Sequence, residues 1–435
     1  MVKSQKSDKK NFDLKLLGLK VYSYKGNLIG HIIDITIYKN KVIFYILTDT
    51  GRIKIIDENQ ILNAGEAVIL RNDALLKNTN KNFYSYALSD QYMKLALNDD
   101  LKHRYNYWED IRLVHCALPE INFDEIETST ILFGKKLDYP IIIEGMVGGT
   151  EASLKINENL ARVAEKFNIG MEVGSERSAL KRPEMQNSFK VLKNYNIPLR
   201  IGNLGALDLI YQGFGDELSL SDLENAMNLV DADILALYLS YAPETVRPSG
   251  RLKAKGVEKA LENISSKYPI LIKETGFGIS RELALRLKKL GIKSINVSGA
   301  GGTSFTAIEY QRIKNRGYTE KEELGKIFWN WGIPAPASIY HLRDLGLTII
   351  GSGGLNNGMD LAKAIVLGAD AGGYARTLLK PALVSYKNLE DEIKKIIAAF
   401  KVAMFLTNSK NINELKKRQF VSFGKTKEWI EQIKH

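Results

Sequence analysis

The sequence predicts an α/β protein: a (β/α)8 TIM barrel preceded by a small all-β barrel. Two observations predict this architecture. From residue 110 onward, short apolar runs alternate with amphipathic segments of helical period, and the alternation repeats over roughly 240 residues, which suits an eight-unit barrel. Before residue 73 the pattern is different, with short β-type runs separated by turn signals rich in Gly, Asn and Asp.

The predicted barrel strands are short, rich in Ile, Leu and Val, and each is followed by a segment of helical period. The strands are Pro140–Glu144, Gly170–Val173, Leu199–Asn203, Ile234–Leu239, Pro269–Glu274, Ser294–Ser298, Thr348–Gly351 and Ala369–Gly372. Helices are predicted at Ile156–Phe167, Val257–Ser265, Glu282–Leu290 and Asp360–Leu367, and in a C-terminal tail at Leu389–Met404 and Thr426–Ile433.

The first quarter of the chain divides into a charged, flexible tail (1–12), a β domain (13–72) and a polar connector (73–109). The predicted β-runs of the domain are Leu19–Ser23, Leu28–Tyr38, Val42–Thr48, Arg52–Ile56 and Ala67–Leu70. Gly26 and Gly30 around the first hairpin, followed by Ile32-x-Asp34, resemble a PRC-barrel domain. That resemblance implies an adaptor that docks on a protein or ribonucleoprotein partner; the alternative is a β appendage that only packs on its neighbour.

Composition narrows the classes of protein to which this chain can belong. The formal net charge of the 435 residues is +11, which suits phosphorylated or other anionic ligands and equally suits solvated basic helix faces. The single cysteine, Cys116, excludes an intrachain disulfide and a Cys-rich metal site. No apolar run approaches the ~20 residues needed to span a bilayer, and no secretory signal is present. We therefore expect a cytoplasmic protein without membrane insertion.

The functional groups of such a barrel are expected at the C-terminal ends of its strands. Ser175 and Asn203 are suited to hydrogen-bond the polar edge of a flat heteroaromatic ring there, and Lys273 to place an ammonium beside it. Gly353-Gly354, followed by a helix that begins near Gly358, offers backbone N–H groups to a phosphate. The pattern predicts a cofactor that combines a flat ring with a phosphate.

Several motifs at these strand ends resemble the type 2 (FMN-dependent) isopentenyl-diphosphate isomerase family over residues 110 to about 430. They are Gly145-Met146-x-Gly148-Gly149, Gly174-Ser175-x-Arg177, Asn203-Leu204-Gly205, Ile272-Lys273-Glu274, Ser298-Gly299-x-Gly301-Gly302-Thr303, Trp331-Gly332-x-Pro334 and Ser352-Gly353-Gly354. The resemblance implies that FMN is bound by Met146, Gly148, Ser175, Asn203, Lys273, Thr303, Gly353 and Gly354. We expect Val147, Gly358 and Arg376, which lie at the same strand ends, to contribute to this cofactor site. The resemblance also implies a homo-oligomer.

Two positions near the predicted FMN site depart from the family pattern. Val147 stands where the family has Thr, which removes a hydroxyl contact. Asn356 stands where the family has an Arg near the phosphate, and we expect Arg376, at the end of the eighth strand, to replace its charge.

The residues that would handle a diphosphate depart further. The family's basic Asn-Arg-Lys-x-x-His motif falls on Ser85–Asp90, which contains no basic residue. Its His-Leu-Asn-x-x-Gln-Glu motif falls on Tyr238–Glu244, where Tyr238 replaces His and Pro243 replaces the Gln implicated in proton transfer. Glu244 survives, and the resemblance implies that it holds Mg²⁺. Glu244 and Tyr238 are the acid–base candidates.

Three functions remain open on the sequence. The first is a diverged flavoenzyme whose pocket, lined by Tyr238, Tyr241, Glu244 and Trp331, takes an unknown, less anionic small molecule. The second is a genuine isopentenyl-diphosphate isomerase of isoprenoid biosynthesis with a rebuilt diphosphate site. The third is a non-catalytic scaffold or regulator that docks through the PRC-like domain.

Overall fold

The computed structural model describes residues 20–22, 28–38, 41–48, 53–57, 61–64, 68–70, 95–97, 99–213, 217–248, 250–314 and 318–433. By its internal contacts the chain divides into two units. One comprises Met1–Leu88 with Ile313–Glu320, and the other Ser89–Arg312 with Lys321–His435. The predicted tail (1–12) and residues 73–94 of the predicted connector lie outside the described residues.

The first unit contains a six-stranded sheet among its described residues. Its strands are Lys20–Tyr22, Leu28–Tyr38, Lys41–Thr48, Ile53–Asp57, Ile61–Ala64 and Val68–Leu70. The first four strands form an antiparallel meander, while the first also pairs in parallel with the last. The strand Ile61–Ala64 was not predicted, because four residues that end in Asn and Ala give too short a β signal. The PRC-barrel assignment stays a prediction.

The second unit is built on a closed barrel of eight parallel strands, which confirms the predicted fold. Its strands, numbered here first to eighth, are Ile141–Ile143, Gly170–Glu172, Arg200–Gly205, Ile234–Tyr238, Ile270–Lys273, Ser294–Asn296, Thr348–Ser352 and Ala371–Tyr374. All eight predicted strands are present, with ends shifted by one or two residues. Their near-continuous burial is what a parallel sheet covered by helices requires.

Helices surround the barrel and follow its strands. They are Glu151–Lys166, Arg177–Leu180, Asn187–Lys190, Leu220–Val230, Tyr241–Val246, Val257–Ser265, Arg281–Lys289, Phe305–Ile313, Thr319–Ile327, Ala335–Leu342, Gly358–Leu367, Arg376–Val384, Tyr386–Leu406, Ile412–Leu415 and Gly424–Gln432. Shorter 3-10 turns lie at Asp99–Leu101, Tyr107–Asp110, Phe123–Glu125, Pro183–Met185, Val191–Asn194 and Ala206–Leu209.

The first long helix begins at Glu151, five residues before its predicted start, because Thr150 caps it. The Thr150 hydroxyl accepts a hydrogen bond from the Ser153 amide at 3.1 Å, which satisfies one of the free amides of the first turn. Ser219 caps another helix reciprocally with Asp222, and Ser280 caps a third. Among the described residues, no helix is long and apolar enough to cross a membrane.

A β-hairpin covers the end of the barrel at which the strands begin. Its strands are Thr130–Leu132 and Lys135–Leu137, joined at Phe133 and Gly134, which both have positive φ. Leu132 and Leu137 pack into one apolar cluster with barrel residues such as Ile142 and Leu271. This end is therefore filled by apolar side chains, and polar chemistry is confined to the other end.

Candidate functional site

The loops that follow the sixth and seventh strands approach each other so closely that only glycine fits. A Cβ on Gly353 would lie 2.1 Å from the Gly299 carbonyl oxygen, and one on Gly354 would lie 2.5 Å from that of Gly301. Both residues have positive φ, +100° and +84°. The two loops thus form a bare backbone cradle of the kind that binds phosphate in these barrels.

The loop after the first strand provides a second exposed stretch of backbone. A Cβ on Gly148 would lie 2.1 Å from the Phe189 ring. Val147 is buried. Its carbonyl accepts a hydrogen bond from the Gly174 amide at 3.2 Å, which joins this loop to the loop after the second strand, where Ser175 lies. Met146 is partly exposed and Ser175 is exposed, so both face outward at this end of the barrel.

Residues 101–108 run along the loops after the sixth and seventh strands. The His103 amide donates to the Gly302 carbonyl at 2.9 Å, and Lys102 forms a β-bridge with Thr303. The buried Trp108 donates its indole N–H to the Gly353 carbonyl at 2.8 Å. Burial lowers the pKa of His103 to about 4, with the Gly276 backbone opposing the shift. This histidine is therefore neutral at physiological pH.

A buried polar cluster occupies the barrel interior beneath these loops. Lys273 donates to Glu144 Oε2 at 2.7 Å and to the Glu172 oxygens Oε1 and Oε2 at 2.7 and 2.6 Å. Asn296 donates to the second oxygen of Glu144 at 2.7 Å, and Asn203 donates to Glu172. We call Glu144, Glu172, Lys273, Asn203 and Asn296 the interior cluster; all five are at least nine-tenths buried.

The charges of the interior cluster perturb one another. Burial, with a smaller contribution from the neighbouring Glu144, raises the pKa of Glu172 to about 7, although Lys273 opposes the shift. Burial alone would lower the pKa of Lys273, but the two carboxylates hold it above its ordinary value. The lysine is therefore charged, and the two carboxylates compete for its single positive charge.

Two buried oxygens beside this cluster have no hydrogen-bond partner among the described residues. They are Oδ1 of Asn203 and Oε1 of Glu176. The other Glu176 oxygen, Oε2, accepts a hydrogen bond from the backbone N–H of Asn203 at 2.8 Å. Burial raises the pKa of Glu176 well above its ordinary value. Since buried polar atoms are normally paired, the unpaired Asn203 oxygen marks a position where a ligand donor fits.

The loop after the fourth strand turns into a short helix, Tyr241–Val246. Ser240, just before it, has φ +38° and ψ +56°, a left-handed conformation that is rare for residues other than glycine. Pro243 lies in the first turn of this helix, where the missing amide hydrogen of proline is tolerated. The position that holds Gln in the family pattern is therefore part of a rigid, buried helix start.

Glu244 is buried within an ion-pair network. Its Oε1 accepts from Arg247 at 2.6 Å and Arg251 at 3.0 Å, and its Oε2 accepts the Arg251 amide at 2.8 Å. Burial alone would raise the pKa of Glu244, but the two arginines lower it below its ordinary value. The carboxylate is ionised, and both of its oxygens are engaged.

The same arginines pair with two further buried carboxylates. Arg247 donates to Glu309 at 2.6 Å, and Arg251 donates to Asp208, which also pairs with Arg177. Burial alone would lower the pKa of Arg251, but the neighbouring Tyr238 and Glu244 raise it above its ordinary value. We call Arg177, Arg247, Arg251, Asp208, Glu244 and Glu309 the arginine network.

Other predicted residues are placed less centrally. Arg376 is partly buried, with one guanidinium nitrogen 3.5 Å from the Leu97 carbonyl. A Cβ on Gly358 would lie 2.0 Å from the Ile396 carbonyl oxygen, so close packing of two helices already requires that glycine. Asn356 is exposed and donates to the Gly354 carbonyl at 2.8 Å, which stabilises the cradle. Trp331 is 59% exposed.

The sequence did not reveal the acidic half of the interior cluster or the arginine network. Glu144 and Glu172 each occupy an inward position at the end of a barrel strand, and a carboxylate there was the available signal. Arg247 and Arg251 follow Glu244 by three and seven residues, a spacing that places three charges on one loop. His103 lies in the segment described above as a connector.

The comparison with known proteins agrees with the strand-end motifs. An isopentenyl-diphosphate delta-isomerase of Picrophilus torridus is 45% identical over 345 residues, which cover 79% of this chain and 98% of that protein. The enzyme of the same name from Methanocaldococcus jannaschii is 39% identical over 332 residues, covering 74% of this chain and 90% of that protein. The chain belongs to the type 2 isopentenyl-diphosphate isomerase family. No family model matches it.

Solved structures agree with the fold of this family member. A mandelate oxidase variant with (S)-mandelic acid superimposes with a TM-score of 0.53 at 13% identity, covering 80% of this chain and all of that one. A second mandelate oxidase variant, with benzoyl-formic acid, gives a TM-score of 0.50 at 14% identity, covering 77% of this chain and 94% of that one. The predicted family and the predicted TIM barrel are both confirmed.

Proposed function

We propose that this isopentenyl-diphosphate isomerase relative binds FMN at the strand ends. Gly353 and Gly354 offer a bare backbone cradle for the phosphate, and the unpaired Asn203 oxygen suits a donor on the edge of the ring. We assign Ser175, Thr303 and the loop Met146–Gly149 to the same site because they belong to the strand-end motifs. FMN, when bound, supplies the redox and acid–base chemistry of its ring.

We further propose that the reaction differs from isopentenyl-diphosphate isomerisation. The observation that carries this proposal is the arginine network. Both oxygens of Glu244 are engaged by Arg247 and Arg251, so a Mg²⁺ ion would have to displace charge-assisted hydrogen bonds to reach them. The arginines in turn are neutralised by buried carboxylates, which leaves them little capacity for a diphosphate.

The proton-carrying group that suits this pocket is Tyr238. Pro243 carries no side-chain proton, and Glu244 is an ionised carboxylate between two arginines. The Tyr238 phenol lies at the end of the fourth strand, beside Arg251. These residues suit a flavoenzyme whose substrate carries less charge than a diphosphate.

The proposal predicts a separation between cofactor binding and isomerase turnover. Purified full-length protein should bind FMN, as seen by quenching of flavin fluorescence on titration. With reduced FMN, Mg²⁺ and isopentenyl diphosphate, it should form little or no dimethylallyl diphosphate. The Picrophilus torridus relative, assayed alongside, serves as the positive control.

Two results would contradict the proposal in different ways. Turnover comparable with the control would restore the second candidate, a genuine isomerase, which the 45% identity over 98% of that relative favours. A protein that takes up no FMN would favour a scaffold that acts through the N-terminal unit.

A further inference from the structure

The ammonium group of Lys273 has no donor to spare for a cofactor. A lysine carries three N–H donors, and Lys273 has three short contacts, all to carboxylate oxygens of Glu144 and Glu172 at 2.6–2.7 Å. Each carboxylate also accepts a hydrogen bond from an asparagine side chain, Glu144 from Asn296 and Glu172 from Asn203. The lysine is thus held inside the barrel by partners on the first and second strands.

The barrel backbone makes room for these two carboxylates. A Cβ on Gly373 would lie 1.9 Å from Glu144 Oε1, and one on Gly145 would lie 2.9 Å from Glu172 Oε1. Ser352 completes the arrangement by donating to the Asn296 side chain at 2.5 Å. Glycines and polar side chains on several strands therefore surround a two-carboxylate site, as expected of a built site rather than an accidental ion pair.

The charge of this site is unbalanced. Two carboxylates, Glu144 and Glu172, face one ammonium. The titratable groups that interact with Glu172 are Lys273, Glu144 and Glu176. Burial raises the pKa of Glu172 to about 7. The site therefore holds more acidic than basic groups, at the position where the sequence predicts an uncompensated positive charge.

We propose that Glu144 and Glu172 are positioning residues that withhold the Lys273 charge from the flavin, so that two-electron reduction takes up two protons. A free lysine beside the ring favours the anionic reduced flavin, formed from the oxidised flavin by two electrons and one proton. With that charge neutralised, the reduced flavin keeps a second proton and stays neutral. This inference rests on the proposed binding of FMN.

The experiment is a spectroelectrochemical titration of the FMN-loaded full-length protein between about pH 6 and pH 8.5. The midpoint potential should fall with pH at the slope of two protons per two electrons, and the reduced spectrum should be that of neutral flavin. In Glu172→Gln and, separately, Glu144→Gln, the slope should approach one proton per two electrons and the potential should rise. Glu390→Gln, which removes a carboxylate paired with Lys166 and Lys394, is the matched control and should behave as wild type.

The outcomes separate this inference from the proposed function. FMN binding with a one-proton slope in wild type and in both variants would overturn the inference alone. A protein that binds no FMN would overturn the proposed function and this inference with it.

Discussion

Replacing Lys273 by Met should destabilise the fold by about 3–5 kcal/mol at pH 8, because it leaves Glu144 and Glu172 buried against each other without a cation. The loss should shrink at pH 5. Without the ammonium, burial leaves Glu172 with a higher pKa in the folded than in the unfolded state. Such a group contributes stability below its unfolded pKa and loses that contribution as the pH rises through its folded pKa. Urea unfolding at both pH values measures the difference.

Two further variants test whether charge is the cause. Adding Glu172→Gln to Lys273→Met should recover part of the stability at pH 8, since one buried negative charge is removed. Lys326→Met, which breaks an exposed pair with Glu323, should leave the free energy of unfolding almost unchanged, because exposed ion pairs contribute little to stability. Equal losses at pH 8 and pH 5 would mean that Lys273 stabilises by packing alone.

The second large effect is expected at the glycine cradle. Gly353→Ala should weaken FMN binding by roughly 100-fold, because a Cβ 2.1 Å from the Gly299 carbonyl must push the two loops apart. The φ of +100° adds strain for any residue with a side chain. Fluorescence titration with FMN measures the affinity, and thermal unfolding shows whether the barrel remains folded.

Gly134→Ala is the matched control for the cradle. Gly134 also has a positive φ, +76°, but a Cβ there would meet no atom within 4 Å. It lies in the hairpin at the opposite end of the barrel, so its replacement should cost about 1–2 kcal/mol of stability and leave FMN affinity unchanged. Equal loss of FMN affinity in both variants would contradict a local role for the cradle.

The barrel could be predicted from the sequence because its signals are local. Runs such as Ile141–Ile143 and Ile270–Lys273 are apolar and short, and amphipathic helices follow them with their own caps. The strand-end glycines were informative for the same reason, since a tight turn leaves its mark on the residue that makes it.

The ion pairs could not be predicted, because they join residues far apart in the chain. Lys273 meets Glu144 across 129 positions, and Arg247 meets Glu309 across 62. Lys273 alone suggested an ammonium beside a ring, and the family resemblance implied that Glu244 holds Mg²⁺. Closing the barrel brings the partners together and changes what each side chain can do.

The central claim, that the flavin site is kept while the arginine network closes the diphosphate site, is tested most directly by calorimetry. Isopentenyl diphosphate is titrated into the FMN-loaded protein with and without Mg²⁺. The account predicts no binding that depends on Mg²⁺, because Arg247 and Arg251 already engage both oxygens of Glu244. Tight binding that requires Mg²⁺ and is lost in Glu244→Gln would contradict it.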